Sequence, residues 1–267
     1  MAERVSVSVD EGVADVQLNR PEKLNGLDLA MFEALVTTGR ALAGDRSLRA
    51  VVLSGAGRAF SAGLDFASFM ATRVEGRAVK DLLERDAGSP ANFAQQAAYV
   101  WTALPVPVIA AVHGACFGGG LQIALGADIR IVAPDAQLSV MEIKWGLVPD
   151  MTGTQTLRHL VRLDVLKELT LTGRIVSGAE AVVLGLATRV SDRPLEAARA
   201  LAREIAGKSP DAIRAAKTLL ERAVTATLEE GLRLEEALQR SVLGRPNQLE
   251  AVQSNIERRP PKFGDPA

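Results

Sequence analysis

This chain has one cysteine, two histidines, almost no net charge and no long apolar run. Each shortage excludes something. With Cys116 alone, no intramolecular disulfide can form, which fits a reducing cytosol. His113 and His159 are the only histidines, too few beside one cysteine for a zinc site, and no metal is expected. Lys and Arg total 31 against 32 Asp and Glu, a net charge of −1. No basic field therefore favours nucleic acid or an anionic membrane. The most apolar stretch, Ala97 to Val112, is interrupted by Pro105 and Pro107. A membrane span needs roughly 20 apolar residues, so this stretch reads as a buried helix, a turn and a strand. The opening Met1-Ala2-Glu3-Arg4-Val5 lacks the apolar core of a signal peptide. A soluble cytoplasmic protein is expected.

What is present suffices for a large core: 267 residues, 48% of them hydrophobic and 24% charged. Val5–Val9 and Val13–Leu18 alternate like a hairpin turning at Asp10-Glu11-Gly12. Asp28 can cap a helix running to about Ala43, and Ala50–Leu53 reads as a strand. Residues 66–90 are polar, with little pattern beyond Val79–Leu83, and read as a mobile flap whose Phe66, Phe69 and Met70 could face a ligand or the core. A helix near Ala91–Ala103 feeds a strand at Val108–Val112, and Ile129–Val132 is another strand. Thr152–Arg174 reads as helical, Ser177-x-x-Glu180 as a capping box, Gly185 as a stop and Leu186–Val190 as the last strand. From Pro194 onward the pattern is helical, with Ser209-Pro210 as a helix start and an apolar stripe of Ile213, Ala216, Leu219, Leu220 and Ala223. The division expected is an α/β core over 1–193 and a helical region over 194–267.

Two loops stand out, Phe60-Ser61-Ala62-Gly63-Leu64-Asp65 and Gly118-Gly119-Gly120-Leu121-Gln122. Each follows an apolar strand and opens a helix, where backbone N–H groups are unpaired. Two such groups aimed at one point would form an oxyanion hole.

These loops, with Leu18-Asn19-Arg20-Pro21-Glu22-Lys23-Leu24-Asn25, Ala111-Val112-His113-Gly114, Gly146-Leu147-Val148-Pro149, Leu171-Thr172-Gly173-Arg174 and Arg258-Arg259-Pro260-Pro261-Lys262-Phe263, resemble the crotonase superfamily, the enoyl-CoA hydratases and isomerases. The segments follow the family's order over nearly the whole chain. The resemblance implies an α/β spiral of strand–strand–helix turns. It also implies a helical C-terminal region that builds homotrimers, often paired into hexamers. An acyl-CoA thioester would be the partner, and coenzyme A enters as part of the substrate, with no separate cofactor. The thioester oxygen would sit between the N–H groups of Leu64 and Gly119. The substrate and its coenzyme A would be bound by Lys23, Leu24, Ala62, Gly63, Asp65, Phe66 and Gly118. Lys262 and Phe263 could reach the coenzyme A of a neighbouring subunit.

The carboxylates bear on the reaction. The family's hydratases use two glutamates; one position holds Gln122 here, and the other holds Glu142. An amide can orient water but cannot exchange a proton at neutral pH. Asp150, eight residues after Glu142, matches a spacing in the family's dienoyl-CoA isomerases, although that branch carries Asp where this chain has Gln122. Relatives with one glutamate at the Glu142 position move a 3-enoyl double bond. Double-bond isomerisation is therefore favoured, with Glu142 and Asp150 as proton-transfer candidates and Gln122 beside them. Asp150 also reads as a helix cap, and Gln122 as a buried amide tying down a loop. Hydration of 2-enoyl-CoA, and acyl-CoA binding as a catalytically weak scaffold, are the alternatives. His113 reads as a satisfied core histidine, Cys116 as a buried small hydrophobe and Trp145 as core or pocket wall. Gly55-Ala56-Gly57-Arg58-Ala59-Phe60 mimics a dinucleotide fingerprint but ends in Phe, and no Gly-x-Ser-x-Gly elbow exists for a serine hydrolase.

Overall fold

The computed structural model describes residues 3–72 and 82–266. β1 (Val5–Asp10) and β2 (Val13–Leu18) pair antiparallel and turn on Glu11 and Gly12, both at positive φ, the geometry that suits a tight hairpin. The sheet then grows by parallel pairing through β3 (Ala50–Gly55), β4 (Val108–Val112), β6 (Ile129–Val132) and β9 (Arg189–Val190). A second sheet joins β5 (Ala115–Phe117), β7 (Gln137–Ser139) and β8 (Val176–Ser177). β4 enters the large sheet and β5 the small one before α4 (Gly119–Leu125) follows; β6 and β7 repeat the move. This is the expected spiral of strand–strand–helix turns.

β3 and β4 are buried along their whole length, which explains the apolar runs Ala50–Leu53 and Val108–Val112: parallel strands covered on both faces have no polar side. On one face Val51, Leu53, Val108 and Ala110 pack with Phe32 of α1 (Leu29–Ala43) and Trp101 of α3 (Phe93–Thr102). On the other, Val52, Ile109 and Ile131 meet Ala198 and Ala202 of α8 (Pro194–Ala206). Asp28 caps α1 by accepting from Met31 N at 2.8 Å. Asn92 and Gln95 cap α3 reciprocally.

Several sequence expectations change. The polar stretch begins as α2 (Phe66–Thr72), and residues 73–81, with Val79, lie outside the described residues. Residues 152–174 form two helices, α5 (Gly153–Leu157) and α6 (Leu163–Thr172). The break falls where Leu157 and Val161 turn into the core and Arg162 adopts extended backbone. Only half of the capping box before α7 (Gly178–Leu184) forms: Ser177 accepts from Glu180 N, but the Glu180 carboxylate turns to Arg174 at 2.7 Å. The last strand shortens to Arg189–Val190, and Ser209 starts its helix without a side-chain cap.

α9 (Pro210–Ala223), α10 (Leu228–Val242) and α11 (Pro246–Glu257) complete the chain's helices. Lys217 ties α9 to the core through Asp128 at 2.8 Å. The apolar stripe of α9 does not enter that core, and Leu220 is 69% exposed. The chain end folds back, with Arg49 paired to Asp265 and Arg259 to Glu250. No helix among the described residues is long and apolar enough to cross a membrane.

Candidate active site

The segment after β2 is clasped against the segment after β3. Asn25, fully buried and at positive φ, donates to the carbonyls of Ala56 and Ala59 and accepts from Arg20 N. The buried Arg20 guanidinium bonds Gly26 O at 3.1 Å and the Asp65 carboxylate at 2.7 Å. Asp65 also accepts from Ser68 N and Oγ, fixing the first turn of α2. Burial works to raise the Asp65 pKa, but the Ser68 and Arg20 hydrogen bonds prevail and bring it to about 2.

This clasp leaves one N–H of the first loop free. Phe60 N, Ser61 N, Ala62 N, Gly63 N and Asp65 N donate to His113 O, Ala115 O, Leu24 O, Ser61 Oγ and Leu27 O. Leu64 N has no acceptor among the described residues. In the second loop, Gly118 N donates to Ser139 O, whereas Gly119 N, at the start of α4, has no acceptor among the described residues. The loops touch: a Cβ on Gly63 would stand 2.6 Å from Phe117 O and 3.6 Å from Gly119 N. Gly63, at φ +82°, is thus the glycine that lets the two donors approach.

Glu142 lies beside this point, its Oε1 3.4 Å from where a Cβ on Gly118 would stand. It begins the 3-10 turn Glu142–Trp145 and is 8% exposed. Oε1 accepts from Gln122 Nε2 at 2.5 Å, while Oε2 is buried without a partner among the described residues. Gln122 Oε1 accepts from Met151 N at 2.8 Å and Gly153 N at 2.9 Å. One neutral amide therefore orients the carboxylate and ties down the loop carrying Asp150. Gln122, not Asp150, takes the N–H groups at the start of α5; the residue in the cap position, Thr152, is in the left-handed region at φ 70°.

Burial raises the Glu142 pKa, the Gln122 hydrogen bond opposes the rise, and the Asp150 charge adds to it. Asp150 is open to solvent on one side, yet the surrounding protein still raises its carboxyl above the ordinary range. Asp150 and Thr152 also line a cavity of about 1120 Å³ between α3, α5 and α9, with Tyr99, Leu125 and Leu220 among its other walls. Neither Glu142 nor Leu64 nor Gly119 lines that cavity.

Lys23 is exposed and Leu24 half-buried on the rim formed by the clasp, with Ala62 bonded to Leu24 O. Phe66 stacks on Trp145, which is 53% exposed and therefore belongs to the rim, not the core. Phe69 instead packs edge-on against Phe32, and Met70 is exposed. His113 bonds Gly57 O, and Cys116 is fully buried, its thiol pushed up by burial. Arg20 and Asn25, which build the first loop, stood in the Leu18–Asn25 motif without an assigned role. Their signal was the conjunction of Arg, Pro and Asn in a turn between two strands.

The family model described as "Enoyl-CoA hydratase/isomerase" matches residues 8–266. The probable enoyl-CoA hydratase of Mycobacterium bovis is 34% identical over 98% of each chain. The mitochondrial Delta(3,5)-Delta(2,4)-dienoyl-CoA isomerase of Mus musculus is 32% identical, covering 96% of this chain and 80% of its own. The crystal structure of enoyl-CoA hydratase from Bacillus anthracis superposes with a TM-score of 0.87 at 31% identity, covering 97% of this chain and 98% of its own.

Proposed function

Because this chain belongs to the enoyl-CoA hydratase/isomerase family, a crotonase-fold group of acyl-CoA enzymes, we propose that it moves a double bond in an enoyl- or dienoyl-CoA thioester. The observation that carries the reading is the Glu142–Gln122 pair. It leaves one buried carboxylate with a free oxygen beside two unpaired N–H groups, and it puts a neutral amide where a second carboxylate would serve hydration. In this reading Glu142 takes a proton from the carbon next to the thioester carbonyl. The electron pair moves onto the thioester oxygen, which Leu64 N–H and Gly119 N–H stabilise. Losing one such donor costs about 3–4 kcal/mol in comparable sites. The proton then returns further along the chain, from Glu142 or from Asp150, and no other reactant is consumed. Coenzyme A would run along Lys23, Leu24, Ala62, Gly63, Asp65 and Phe66, where Asp65 shapes the loop through Arg20 and Ser68.

Hydration of 2-enoyl-CoA is the second reading, favoured by relatives named hydratases. Purified protein assayed on 2-enoyl-, 3-enoyl- and 3,5-dienoyl-CoA separates the two. Double-bond movement without mass gain is the expected result. Rapid water addition to the 2-enoyl thioester would overturn it, and binding without turnover would point to an acyl-CoA scaffold. We further place the protein in the cytoplasm as a homotrimer or hexamer. The buried free Cys116 supports the first, and the uncovered apolar faces of its C-terminal helices support the second.

A further inference from the structure

Phe66 and Trp145 meet with ring centroids 4.3 Å apart at 30°. Phe66 opens α2 two residues after the Leu64 N–H, and Trp145 ends the 3-10 turn that Glu142 begins. Side chains three apart in such a turn eclipse, so Trp145 stands on the same side as the Glu142 carboxylate. The ring pair thus joins the oxyanion loop to the turn of the base. Glu142 Oε2, meanwhile, is buried and has no hydrogen-bond partner among the described residues. A base that must meet a carbon atom needs a way in, and a half-exposed ring stack is a contact that can part without breaking the core.

We propose that Phe66 and Trp145 form an aromatic rim through which the acyl group passes to Glu142, and that their size sets the width of the group admitted. The inference rests on the acyl-CoA reading above. The other ring contacts, Phe32 with Phe69 and with Phe93, belong to the packing under α1. Trp101 is fully buried, with its Nε1–H on Ala97 O. The chain therefore holds one buried and one exposed tryptophan, and only the exposed one sits on the rim.

The test uses the intact protein with free coenzyme A and with hexanoyl-CoA, a saturated thioester that cannot isomerise. Binding is read by calorimetry, and Trp145 by acrylamide quenching with Trp145→Phe as the reference. Hexanoyl-CoA is expected to lower the quenching constant of Trp145 at least twofold more than free coenzyme A does. In turnover, Phe66→Leu and Trp145→Leu should each raise the kcat/KM ratio of a branched over a straight 3-enoyl-CoA at least fivefold. Binding heat from hexanoyl-CoA with unaltered Trp145 quenching would overturn the rim while leaving the acyl-CoA reading intact. So would equal protection by free coenzyme A. Absence of heat with either ligand would overturn the acyl-CoA reading and the rim with it.

Discussion

Burial raises the proton affinity of the Glu142 carboxylate, Gln122 lowers it by donating to Oε1, and Asp150 raises it again through like charge. A base acts ionised, so the rate should fall on the acid side with a limb above the ordinary carboxylate range. Asp150→Asn removes the like charge and should move that limb to lower pH. Gln122→Met removes the donor and should move it to higher pH. A pH profile of kcat for the three proteins checks both signs. Glu142→Gln should reduce kcat by about 10²- to 10⁴-fold. It should also raise the thermal midpoint at pH 7. A carboxylate whose folded pKa is raised costs stability above its unfolded value, and the amide carries no such cost. Thr152 is strained. It is β-branched at φ 70°, and its Oγ1 is buried without a partner among the described residues. Thr152→Gly should stabilise the fold by about 1 kcal/mol, read as a rise of a few degrees in Tm. Unchanged or lower stability would mean that the hydroxyl has a partner in solution.

The free N–H of Leu64 is a property of the whole clasp between residues 20–28 and 60–65, since every neighbouring N–H of its loop is bonded. Asp65 holds both ends of it. Its pKa of about 2 stabilises the fold at pH values above the unfolded carboxylate range, and that contribution is lost as pH falls toward 2. Asp65→Ala should therefore cost about 2 kcal/mol at pH 7, measured by urea unfolding, and, on the proposed function, should lower kcat more than KM by loosening the loop that carries Leu64 N–H. Elements of this kind were partly legible in the sequence. The buried strands, the Asp28 cap and the two glycine loops follow from apolar runs and turn chemistry over a few residues. The break between α5 and α6 did not, because it depends on how Leu157 and Val161 meet the core. Nor did the amide bonds of Gln122, which join residues 20 and 29–31 positions apart in the chain. The turn from Glu180 to Arg174 was hidden for the same reason: a local capping pattern competes with a partner that only the fold supplies.

At the scale of the whole molecule, α9, α10 and α11 carry apolar side chains that no core covers. Lys217 anchors one side of α9 through Asp128, yet Leu220 is 69% exposed, Leu228 80%, Leu232 55% and Ile256 78%. Burying one leucine fully is worth about 1.5–3 kcal/mol, so several left in water on adjoining helices is a large unpartnered surface. Self-association is the outcome this surface favours, and three copies, or two such sets, match the assembly expected for the family. Light scattering and sedimentation at micromolar concentration should give a mass three or six times that of the chain. Leu220→Asp with Leu232→Asp places charge on two of these helices and should shift the mass downward. The Phe60–Asp65 loop lies in the spiral core, so binding of coenzyme A thioesters to the smaller species should then report whether the site is complete in one chain. A single-chain mass for the unaltered protein with full activity would refute the assembly and leave the apolar face of α9 and α10 to another partner.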